Sequence, residues 1–91
     1  MRSCTDNENI HNRLKRIVGQ VQAIDRMVSE DVPCEDVLLQ INAAKSALHK
    51  CGQLILESHI NHCVKDGIKN GDLDNTLKNF AKAVEYFSNI K

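Results

Sequence analysis

Apolar positions recur with a helical period along almost the whole chain. Ile10, Leu14, Ile17, Val21, Ile24 and Val28 step by 4, 3, 4, 3 and 4. That heptad seam predicts a long amphipathic helix over about 7–30. Thr5 followed by Glu8 fits a capping box at its start. A second stripe runs through Val37, Ile41, Ala44, Leu48, Cys51 and Ile55 and continues to His62. Pro33 suits a first helical turn, and Glu35 and Asp36 suit the positive end of the helix dipole. The first stop signal is Asp66-Gly67, with Gly67 as the expected C′ residue, so the second helix is predicted over 33–66. Gly52 inside it costs about 1 kcal/mol relative to Ala, tolerable where another backbone passes close by. Asn70-Gly71 reads as a turn and Asp72 as the N-cap of a third helix over 72–90. There Leu73, Leu77, Phe80, Val84 and Phe87 step by 4, 3, 4 and 3. No strand alternation and no internal repeat appears. The expected class is all-α, three helices in one domain over 1–91.

These lengths raise a geometric problem. A helix of over thirty residues extends roughly 45–50 Å at 1.5 Å per residue. Two shorter helices cannot cover it in a compact monomer. A 91-residue chain also buries only about 60–65% of the surface exposed when unfolded. Antiparallel pairing of two long helices, giving a four-helix core in a homodimer, answers both points.

Composition narrows the function classes. Twelve Lys and Arg balance twelve Asp and Glu, so the net charge is zero and offers no prior for nucleic acid. No run of about 18 apolar residues occurs, so no membrane span is expected. The opening MRSCTDNENIHNRLK has no apolar core, so no secretory leader is expected and the cytoplasm is the expected location. In that compartment Cys4, Cys34, Cys51 and Cys63 read as metal ligands, reactive thiols or small buried hydrophobes rather than as disulfides. Burial suits Cys51 best. No acid–base pair, phosphate loop or nucleophile with an orienting base is present, so an enzyme is not expected.

The candidate chemistry lies on the second helix. At 100° per residue, Cys34, His59 and Cys63 fall within a strip of roughly 40° beside the core stripe. His59 and Cys63 stand at i, i+4 and can reach one ion. Cys34 lies on the same strip but about 37 Å away along an intact helix. One chain therefore cannot gather all three. In an antiparallel dimer crossing near Leu48, Cys34 of one chain lies opposite the His59–Cys63 stretch of the other, which makes two equivalent sites. Two thiolates and one imidazole suit Cu(I) or Zn(II), and three-coordination without carboxylates favours Cu(I). A lone His/Cys pair at this spacing is commonly structural; the third ligand at the mirror-related position is what singles it out. His62, at the centre of the core stripe, and Cys51, at the crossing point, read as packing residues. Cys4 and His11 are weaker candidates for an additional ligand.

Three segments carry a family resemblance: RLKRIVGQVQAIDRMV (13–28), CEDVLLQINAAKSAL (34–48) and GQLILESHINHCV (52–64). Over about residues 10–88 the chain resembles the copper-sensing operon repressor family, which also includes nickel/cobalt, formaldehyde and persulfide sensors. The resemblance implies three helices per chain, an antiparallel four-helix core in the dimer and a dimer of dimers. It implies an apo repressor bound to operator DNA and released by its inducer. Cys34 matches a position shared across the family. His59 matches the copper and nickel sensors, and persulfide sensors lack it. Cys63 matches the copper sensors and the resolving thiol of persulfide sensors, where nickel/cobalt sensors place His. The combination implies Cu(I) as inducer and copper efflux genes as the expected target. Two departures stand out. Pro33 occupies a position where copper sensors often carry Tyr. Asn79 occupies that of a third-helix Glu that hydrogen-bonds the liganding His, and Glu85 is too far along the chain to replace it.

A balanced net charge can still hide a basic face. Residues 9–24 hold Arg13, Lys15 and Arg16 without an acid. Residues 37–56 hold Lys45 and Lys50 with His49, again without an acid. By resemblance, Arg13 and Lys50 occupy DNA-contacting positions; otherwise all five cations read as solvated helix faces. The competing readings are a persulfide, redox or other-metal sensor of the same fold, and a copper buffer without DNA binding.

Overall fold

The computed structural model describes residues 7–88. Its elements are α1 (Asn7–Ser29), α2 (Cys34–Ser58), a π-helical turn (His59–Val64), α3 (Lys65–Lys69) and α4 (Leu73–Ser88). The all-α class is as expected, and no strand occurs among the described residues. The capping box at Thr5 lies outside the described residues.

The chain divides into two compact units, one over 7–51 and one from Gly52 onward. In the first, α1 ends in a Schellman motif. The amide of Val32 donates to the Met27 carbonyl (3.1 Å) and that of Asp31 to Val28 (3.4 Å). Asp31 takes the left-handed position, φ 55°, where glycine is the usual occupant. The amides of Asp36 and Val37 then donate to the Pro33 carbonyl and open α2. Ile17 and Ala44 are the buried apolar residues of the two seams, and Cys51 is 3% exposed. Cys51 is thus the small buried hydrophobe that its stripe predicts.

In the second unit α3 and α4 pack against the π-turn and against each other. The helical run continues through Gly67 to Lys69, past the expected stop. The C′ residue is Gly71, φ 79°, not Gly67. The amide of Asp72 donates to the Gly67 carbonyl (2.9 Å) and that of Gly71 to Ile68 (3.1 Å), a second Schellman motif. Gly67 serves packing instead: the buried Thr76 of α4 occupies the space a Cβ would fill. Gly52 has a similar reason, but its neighbour is the Phe87 ring rather than a backbone. Asp72 opens α4 as expected, its carbonyl accepting from the Thr76 amide (3.0 Å).

The seams are only half covered. Leu48 is 53% exposed and Ile55 37%, although both lie at the centre of the α2 stripe. Leu14, Val21 and Val28 of α1 and Leu73, Leu77 and Val84 of α4 are also exposed. Among the described residues no large side chain is fully buried. Heptad stripes with one side open are what a chain presents when neighbours complete its core. No described helix is long and apolar enough to cross a membrane.

Candidate metal centre and nucleic-acid face

The predicted ligands fall at two places. Cys34 is the first residue of α2 and is exposed, with a free thiol. It lines an open apolar hollow of about 530 Å³ together with Val28, Val32, Val37 and Leu38. His59 is the first residue of the π-turn, and Cys63 lies on the same turn by its backbone. The side chain of Cys63 is outside the described part of the structure, as is all of Cys4.

The π-turn has no counterpart in the expected uniform α-helix. Its i→i+5 bonding inserts one extra residue into the helical circuit, and such turns occur often at functional sites. Four steps in a π-turn fall slightly short of a full turn, where four steps in an α-helix slightly exceed one. His59 and Cys63 therefore stay about one turn apart along the helix. Residues beyond His59 are rotated off the α-helical stripe. His62, expected at the centre of the core stripe, is exposed.

The environment of His59 is specific. Its imidazole stacks on Phe80 of α4, with centroids 6.4 Å apart and planes inclined by 16°. Its Nε2 atom is buried and meets no hydrogen-bond partner among the described residues. A buried polar atom left in this state costs about 1–3 kcal/mol. Asn79, which stands where a carboxylate partner for His59 would be expected, is exposed. Among the described residues no three Cys, His, Asp or Glu side chains gather to hold an ion.

Five candidate DNA-contacting cations, Arg13, Lys15, Arg16, Lys45 and Lys50, all lie in the 7–51 unit. Four are exposed and Arg13 is half-buried. The Nε of Arg13 donates to Asn9 Oδ1 at 2.8 Å, one turn earlier on α1.

The family profile described as "Metal-sensitive transcriptional repressor" matches residues 6–86. The chain belongs to this family. It is a metal-sensing transcriptional repressor, and repression entails DNA binding. Over 87 residues it is 39% identical to the copper-sensing transcriptional repressor CsoR of Bacillus subtilis, covering 96% of this chain and 86% of that one. Over 64 residues it is 44% identical to the copper-sensing repressor RicR of Mycobacterium tuberculosis, covering 70% and 67%. The fold is similar to that of Cu(I)-bound CsoR from Geobacillus thermodenitrificans, with a TM-score of 0.87, 39% identity, and coverage of 92% and 88%. It is also similar to the nickel-responsive regulator InrS, with a TM-score of 0.84, 32% identity, and coverage of 96% and 98%. The relatives are transcriptional repressors, not enzymes.

Proposed function

We propose that this repressor senses Cu(I) in the cytoplasm through Cys34 of one protomer and His59 with Cys63 of another. The buried, unpartnered Nε2 of His59 carries the reading. An imidazole on a Cys-bearing π-turn and short of one hydrogen-bond partner fits a metal ligand. The donor set of two thiols and one imidazole, without carboxylate, suits a soft monovalent ion. Copper sensing by CsoR and RicR supports the same choice.

The half-covered seams supply the assembly. Leu48 and Ile55 offer a continuous apolar stripe to a second α2, and a dimer formed there completes a four-helix core. Two such dimers make the tetramer. Bound Cu(I) supplies a coordinate link between protomers. Cys34 holds it from the start of α2, and His59 and Cys63 hold it from the π-turn. Arg13, Lys15, Arg16, Lys45 and Lys50 hold operator phosphates in the metal-free protein. The link favours an assembly that presents these cations less well, and operator DNA weakens Cu(I) binding by the same factor. Copper efflux genes are the expected target.

Titrating Cu(I) into protein bound to labelled operator DNA, read by fluorescence anisotropy, tests the proposal. Release should be complete near one equivalent per chain. A parallel Ni(II) titration addresses the second reading, which the likeness to InrS supports. Release by Ni(II) and not by Cu(I) would assign nickel. Release only by a sulfur donor, with a Cys34–Cys63 crosslink, would assign a persulfide sensor. No operator binding at low salt would leave a copper buffer.

A further inference from the structure

We infer that Phe80 is a positioning residue for the inducer site, its ring setting the plane of the His59 imidazole. The inference rests on the reading of His59 as a ligand.

A histidine side chain has a broad second torsion, so its ring plane needs an external constraint. A liganding His usually receives one from a carboxylate or carbonyl bonded to its other nitrogen. Here Nε2, the nitrogen left for the metal, is buried and meets no hydrogen-bond partner among the described residues. Asn79 and Glu85, the polar α4 residues nearest in role, are both exposed. The group facing the imidazole is Phe80. Planes 16° apart with centroids 6.4 Å apart are within the offset-stacked range for aromatic pairs. A stack of this kind fixes the tilt of a ring but not which edge points inward. Phe80 therefore restrains the plane and leaves Nε2 without a protein partner among the described residues.

The position of Phe80 gives the constraint firm backing. Thr76, Phe80 and Phe87 lie on one face of α4, at spacings of one and about three turns. Thr76 fills the space beside Gly67, and Phe87 that beside Gly52. Phe80 stands between these two close approaches, which fix its backbone position on α4. His59 is oriented through helix packing rather than through a polar network.

Two measurements on the full-length protein test this. In the metal-free protein, the His59 ring protons should show a ring-current shift in the NMR spectrum. Phe80→Leu should abolish that shift, and Phe80→Tyr should retain it. Cu(I) affinity, read by competition with a chromophoric chelator, should fall roughly tenfold in Phe80→Leu, the lower end of the range for removing a group that orients a ligand. It should stay within about twofold of the parent in Phe80→Tyr, on the same scale. Thermal unfolding of each variant separates loss of orientation from loss of fold. If Phe80→Leu unfolds, the parent spectrum and Phe80→Tyr decide. An unshifted His59 resonance, or parent-like Cu(I) affinity in folded Phe80→Leu, overturns the inference. His59→Ala separates the two levels: weak Cu(I) binding there with parent-like binding in Phe80→Leu removes only the role of Phe80. Parent-like binding in His59→Ala removes the ligand reading and the inference together.

Discussion

The ring of Phe87 lies where a side chain at Gly52 would begin. A Cβ built on Gly52 overlaps Cε1 of that ring and falls 2.9 Å from its Cδ1 and Cζ. Helix propensity favours Ala over Gly by about 1 kcal/mol, but overpacking of this kind costs about 1–3 kcal/mol. Gly52→Ala should therefore be destabilising by about 1 kcal/mol, since the overlap outweighs the propensity gain. Gly19 is the control, because among the described residues nothing stands within 4 Å of its built Cβ. Gly19→Ala should stabilise by about 0.5–1 kcal/mol. Urea unfolding followed by circular dichroism reads both, and the opposite signs are the result to look for.

The two Schellman motifs make a second pair. Asp31 sits at φ 55° and Gly71 at φ 79° in equivalent C′ positions. The left-handed conformation disfavours any residue with a Cβ by about 1–2 kcal/mol, with Asp and Asn the most tolerant. Asp31→Gly should raise stability by about 0.5–1 kcal/mol on this ground. Gly71→Ala should lower it by about 1–2 kcal/mol. Shifts in the urea midpoint at constant m-value would measure both.

A site shared between protomers predicts complementation. Cys34→Ser and Cys63→Ser should each abolish tight Cu(I) binding as homo-oligomers. A mixed dimer of the two variants pairs the intact Cys34 of one chain with the intact His59 and Cys63 of the other. It should regain one site per dimer, read by chelator competition on affinity-purified heterodimer. No recovery would place the ligands within one chain or exclude one of the cysteines.

The proposed DNA face yields a salt-dependence prediction. Arg13→Ala should weaken operator binding and reduce the slope of log K against log salt by roughly one for each phosphate that the guanidinium neutralises. Asn9 Oδ1 accepts from the Nε of Arg13 at 2.8 Å. Asn9→Ala should weaken binding less than Arg13→Ala and leave the slope unchanged, since it removes orientation and no charge. Anisotropy titrations across a salt series distinguish the two.

Much of this molecule was legible in the order of its residues. The 4,3 stepping of Ile10 to Val28, Val37 to Ile55 and Leu73 to Phe87 determined the helices, because burying one face needs nothing beyond that period. Asp72 and Gly71 marked the α4 turn through local backbone chemistry. Cys34, His59 and Cys63 drew notice because their spacing puts soft donors on one strip. Tertiary structure decided what depends on neighbours distant in sequence. The role of Gly67 was set by Thr76 and that of Gly52 by Phe87, approaches that a local stop signal cannot contain. The π-turn at His59–Val64 altered the facing of His62, since one extra residue in a helical circuit has no period of its own to read. The unpartnered Nε2 of His59 and its stack on Phe80 emerged only once α4 was in place. Periodicity reports which face of a helix is apolar. Which atom meets that face is decided by packing, because contact is a property of two segments and sequence spacing is a property of one.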